Sequence, residues 1–178
     1  MARPVIIHNP NELNNYKKMI MNNLEKGREM LQIVINEHNA LETFQILKFE
    51  KSSIEPLSGE SENFIEVINQ SMSYIVSCMA VEYLYQLFPK QSFRLNWGNV
   101  SGFDIESLDG MIICECFAAT SYRSNGKLSK DLQKLNLNES AKHKYEFFYD
   151  QDFSEINEMY YKEKYPSVTI VKFNRLEL

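Results

Sequence analysis

Apolar residues recur at Leu13, Tyr16, Ile20, Leu24, Leu31 and Ile35, the three- and four-residue spacing of one helical face. Asn9 stands before this stripe as an N-cap, Pro10 takes the first helical position, and Glu12 is placed for a capping box. One long amphipathic helix to about His38 is expected, with Gly27 as a weak spot or kink. The run "VII" ahead of it is a short strand candidate. A second helical piece covers residues 41–49, and the Pro and Gly of "KSSIEPLSGES" break regular structure after it. With Ser61 as N-cap, Ile65, Ile68, Met72, Ile75, Met79 and Tyr83 predict another helix up to Pro89, packed on a sheet through that stripe.

Beyond Pro89 the period shortens. "SFRLNWGN", "GFDIESL" and "MIICECFAAT" read as strands, a Lys-rich helix spans Lys127–Leu137, and "KYEFFYD" is a further strand. Ser154 then caps a helix to about Lys164, and "SVTIVKF" is the last strand. The order helix, three strands, helix, strand, helix, strand predicts a mixed α/β fold, a mixed β-sheet with helices on both faces. The 178 residues suit a single domain, with an N-terminal helical part over 1–60 and an α/β core over 61–178.

Composition supports a folded chain, since apolar residues reach 44% with only six glycines and five prolines. The apolar runs read as too short or too interrupted by charge to span a bilayer, and the N-terminus lacks the long apolar core of a secretory signal. A cytoplasmic location is expected, without a membrane partner. Cys78, Cys114 and Cys116 are odd in number, which suits a reducing compartment, and all three read as packed core residues rather than metal ligands. The net charge of −5 argues against non-specific coating of nucleic acid but leaves room for a local basic groove.

The stretch "GFDIESLDGMIICECFAAT" carries the candidate chemistry. Asp109-Gly110 between alternating strands predicts a two-residue type I′ turn, with positive φ at both positions. Counting outward pairs Leu108 with Met111, Glu106 with Ile113, Ile105 with Cys114, and Asp104 with Glu115. Asp104, Glu106, Ile113, Glu115 and Phe117 then share one face, and Phe103, Ile105, Cys114 and Cys116 the other. Two acids directly opposite repel each other, and a divalent cation would remove that cost, because Mg²⁺ takes one or two carboxylates and completes its shell with water and phosphate.

With these residues the chain resembles the PD-(D/E)xK nuclease superfamily, whose core is helix, three-stranded meander, helix, strand. Asp104 matches the acid of the second strand and Glu115 the acid of the third. The resemblance covers about residues 61–150 and implies a restriction-endonuclease-like core with an N-terminal helical extension. Phe117 stands where the family has its lysine, and no proline precedes Asp104. A lysine migrated to the following helix is the expected replacement. Lys127 and Lys130 are the candidates to orient an attacking water or hold a phosphate oxygen.

Metal-dependent hydrolysis of DNA phosphodiesters is therefore the expected activity. Asp104 and Glu115 would hold Mg²⁺ or Mn²⁺, Glu106 would assist, and the product would carry a 5′-phosphate. Arg123, Asn125, Lys127, Lys130 and Lys134 form the expected DNA-binding rim. Glu66 or Glu82 is placed to add an acid from the preceding helix, and Trp97 either stacks on a base or packs under that helix. DNA is the expected partner, and a homodimer is open as the assembly. The alternative reading is a non-catalytic binding or assembly module that retains the nuclease fold, motivated by Phe117.

Overall fold

The computed structural model describes residues 4–98 and 100–178. Eight strands and five helices alternate along the described residues: β1 (Val5–Ile7), α1 (Pro10–Glu37), α2 (Ala40–Phe49), β2 (Ser53–Ile54), β3 (Ser61–Glu62), α3 (Phe64–Leu87), β4 (Phe93–Leu95), β5 (Ile105–Ser107), β6 (Ile112–Ala118), α4 (Lys127–Leu137), β7 (His143–Tyr149), α5 (Glu155–Lys164) and β8 (Thr169–Phe173). Six strands form one sheet in the order β1-β4-β5-β6-β7-β8. The β1 to β6 neighbours are antiparallel, whereas β6, β7 and β8 run parallel, each crossover carried by a helix. This is the expected mixed α/β fold.

Period-two alternation splits the sheet into two apolar faces. Ile105, Ile112, Cys114, Cys116 and Phe147 face α1 and α3, where they meet Leu13, Ile20, Val81 and Leu84. Ile113, Phe117, Phe148 and Ile170 face the other way, onto Leu128, Leu132 and Leu135 of α4. The three cysteines are buried, as their apolar neighbours lead one to expect.

Several local expectations are corrected. Ser61 is not a cap: it pairs with Ile54 in the β2-β3 ribbon, inside the segment read as irregular. Asn63 caps α3 instead, its side chain accepting from the Glu66 N–H. The face of α3 is the expected one only in part: Ile75 is buried and Tyr83 packs on the core, but Ile65 and Ile68 are exposed while Val67, Tyr74, Cys78 and Val81 are inside. The Asp109-Gly110 turn is not type I′, since only Gly110 takes positive φ. Asp109 instead accepts from Ser107 Oγ at 2.6 Å and Met111 N at 3.0 Å, which ties the turn through its side chain.

The long first helix forms as expected, with Asn9 accepting from the Glu12 N–H at 3.1 Å. Glu12 reaches back to His8 N rather than to the cap's own N–H, so the box is shifted by one residue. Gly27 is buried, and a Cβ there would lie 2.9 Å from Ser53 Oγ, so this glycine allows the ribbon to approach α1. Beyond Gly27 no residue of α1 or α2 is buried. Helix α3 is long and apolar enough to cross a membrane by length and composition, at a mean hydropathy of 1.3, contrary to the expectation from its sequence. Half of its most apolar stretch is packed inside the fold. The last residue of the expected strand "SFRLNWGN", Asn99, lies outside the described residues.

Candidate active site

The β5-β6 ladder pairs Ile105 with Cys114 and Glu106 with Ile113, the expected register. Continued by one step, that register brings Asp104 and Glu115 together. Asp104 is half-buried and accepts from Cys116 N at 2.7 Å through Oδ2. Glu115, on the α4 side of β6, is 3% exposed. Burial first, and then the charge of Asp104, push its carboxyl up to about 8, and Lys134 acts in the opposite direction. The charge of Asp104 reaches the Glu115 carboxyl and disfavours its ionisation.

Phe103 does not share the face of Ile105 as expected. The strand begins only at Ile105, after Gly102 turns the chain at φ +121, and Phe103 packs on the α4 side under Lys134. Lys134 Nζ makes an ion pair with Glu115 Oε1, donates to Gly102 O at 2.6 Å, and sits 4.7 Å from the centre of the Phe103 ring. The lysine that meets the acids is thus the third of the helical row. Lys127 pairs with Asp131 at 2.8 Å and lines the pocket that also holds Asp104. Lys130 is exposed and is not brought to the acids by any hydrogen bond or ion pair among the described residues.

Glu106 turns away from the pair. It accepts from Phe103 N at 3.0 Å and faces Arg94 at 3.7 Å. Arg123 is exposed over the Tyr122 ring, to whose hydroxyl it donates at 2.8 Å. Asn125 takes the left-handed conformation at φ 53 in the 3-10 turn ahead of α4 and lines a neighbouring cleft.

Two acids that sequence reasoning missed complete the cluster. Glu146 on β7 is the register partner of Glu115, fully buried, with neither oxygen partnered in the described structure. Burial, then Asp131 and Glu115, raise its carboxyl well above the ordinary range. Asp131 on α4 is also buried and raised, with Lys127 opposing the shift. The available signal was an acid inside "KYEFFYD" in step with Glu115, and Asp131 set four residues after Lys127 within the leucine stripe.

The pocket beside Asp104, about 290 Å³, opens between the start of α3, the β4-β5 loop, the end of β6 and the start of α4. Glu66 lines it, whereas Glu82 is engaged elsewhere by Lys17 at 2.6 Å. Trp97 packs between Tyr16 and Tyr74, at 5.7 and 5.4 Å, and so lies under the helices. Its Nε1 and Gln70 Oε1, both buried and on pocket-lining residues, have no hydrogen-bond partner among the described residues. A scan of protein-family models finds no match to this chain, and neither does a search of curated proteins.

Proposed function

We propose that the chain is a divalent-cation-dependent nuclease with a restriction-endonuclease-like core and DNA as substrate. The observation that carries this reading is the register that opposes Asp104, on the wall of an open pocket, to the buried Glu115, with lysines supplied by the next helix. The order from α3 through β7 is that of the superfamily core, and a lysine from α4 stands in for the one that Phe117 replaces.

The donor set fits Mg²⁺ or Mn²⁺. Both carboxylates are hard donors, Asp104 engages Cys116 N through one oxygen, and the pocket leaves room for water and phosphate oxygens. Among the described residues no three His, Cys, Asp or Glu side chains enclose a metal position. When bound, such an ion lowers the pKa of a water and offsets the charge developing on phosphorus.

The chain supplies the rest. Lys134 favours the ionised form of Glu115, which the carboxylate needs to act as a ligand. Lys127, in the pocket wall with Asp104, holds a phosphate oxygen or orients the attacking water. Glu66 faces them from α3.

The Lys134 ion pair equally favours a second reading, in which the lysine has replaced the metal and the fold serves as a binding or assembly module. Incubating plasmid and oligonucleotide DNA with the protein and Mg²⁺ or Mn²⁺ separates the two. Cleavage that disappears in Asp104→Asn supports the nuclease. No cleavage with either metal, together with no metal binding by calorimetry, would overturn the nuclease reading.

A further inference from the structure

A second cleft, about 550 Å³, adjoins the pocket and shares Asn69 and Ser73 of α3 with it. It lies where the parallel strands β6 and β7 end, and ligands in open α/β sheets bind outside such carboxyl ends. Its volume is that of a small-molecule site, within the range of ~300–1,000 Å³. The two cavities differ in chemistry. Acids and Lys127 line the first, whereas no charged side chain among the described residues lines the second. Its polar groups are neutral: the amides of Asn69, Asn125 and Gln151 and the hydroxyls of Tyr149, Ser73, Thr120 and Ser124. Gln151 Nε2 donates to Tyr149 Oη at 3.3 Å, so an amide and a phenol ring are held together on one wall.

Side-chain amides offer paired donor and acceptor groups that match base edges, and aromatic rings offer stacking surface. A phosphate has no cation to meet here. A charged pocket for a phosphodiester beside a neutral, amide-lined cleft is complementary to one nucleotide unit.

We propose that this cleft receives an unpaired nucleobase next to the scissile phosphate, so that single-stranded rather than continuous duplex DNA is the preferred substrate. This rests on the nuclease reading of the adjoining pocket. A base inside a duplex is stacked and paired, and entering the cleft would require its extrusion, a cost that a single strand does not carry.

Fluorescence anisotropy in EDTA, which prevents cleavage, tests the proposal with three labelled DNAs of equal length: a single strand, its duplex, and a strand of abasic residues. The variants are Gln151→Ala and Gln151→Leu, at an exposed position, each removing the amide and the second keeping its bulk. The single strand should bind about tenfold more tightly than the other two, the scale of one stacked base. Both variants should lose that preference while keeping the melting temperature and the affinity for the abasic strand. Equal binding of all three DNAs, an undiminished preference in both variants, or no binding at all would overturn the proposal. Cleavage of single-stranded and duplex oligonucleotides in Mg²⁺ separates the two claims. Cleavage without base preference leaves the nuclease and removes the cleft's role, and base-dependent binding without cleavage does the reverse.

Discussion

Glu115 is the residue on which the site turns, because its environment is divided against itself. Burial and Asp104 favour the neutral acid, and Lys134 favours the anion, with the balance near the neutral side at pH 7. The unfolded chain ionises this carboxyl near its ordinary value of 4.5, whereas the fold holds the proton to about 8. The contribution to stability is therefore full below about pH 4.5 and is lost as pH rises to about 8. In metal-free protein, denaturant titrations across that window should show stability falling by on the order of 5 kcal/mol, and Glu115→Gln should remove most of the fall. Glu146 follows the same sign with no lysine paired to it. At pH 8, Glu146→Gln should raise stability by about 1–3 kcal/mol, with almost no change at pH 4, where the acid is neutral in both states. A Glu146→Gln protein less stable at pH 8 would mean that the carboxylate has a partner that holds it charged.

The elements carry these residues with very different security. Helix α4 docks Leu128, Leu132 and Leu135 on the sheet, and that docking holds Lys127 and Lys134 over the acids. Leu132→Ala should cost about 2–5 kcal/mol by chemical denaturation. In contrast, Phe44→Ser on α2, at 73% exposure, should change stability by no more than about 0.5 kcal/mol. The difference in security matches what the sequence made legible. The limits of α4, the β5-β6 register and the opposition of Asp104 to Glu115 all follow from period and turn position, which are local. The face of α3 did so only in part, because that helix is apolar nearly all round and its stripe does not announce which side meets the sheet. Lys134 could not be ranked above Lys127 or Lys130, since which lysine reaches Glu115 depends on how far α4 lies along the sheet. Glu146 was hidden for a related reason, because its register with Glu115 across a parallel pair is set by a crossover and not by a hairpin.

At the scale of the whole molecule, the interior strands of the sheet and α4 gather acids and lysines in an otherwise acidic protein. The cation reading and the structural reading of Asp104 and Glu115 predict opposite behaviour of the fold. A ligand that binds only the folded state stabilises it by mass action, and Asp104→Asn removes a charge from the repelling pair while keeping an oxygen to accept from Cys116 N. The decisive measurement is a set of melting curves for the original chain and Asp104→Asn, each with and without millimolar Mg²⁺ or Mn²⁺. A cation seat predicts that metal raises the melting temperature of the original chain, that it does so much less for Asp104→Asn, and that the metal-free variant is at least as stable as the original. Metal shifting neither curve, with Asp104→Asn losing several kcal/mol, would contradict it and leave the pair as part of the fold's internal support.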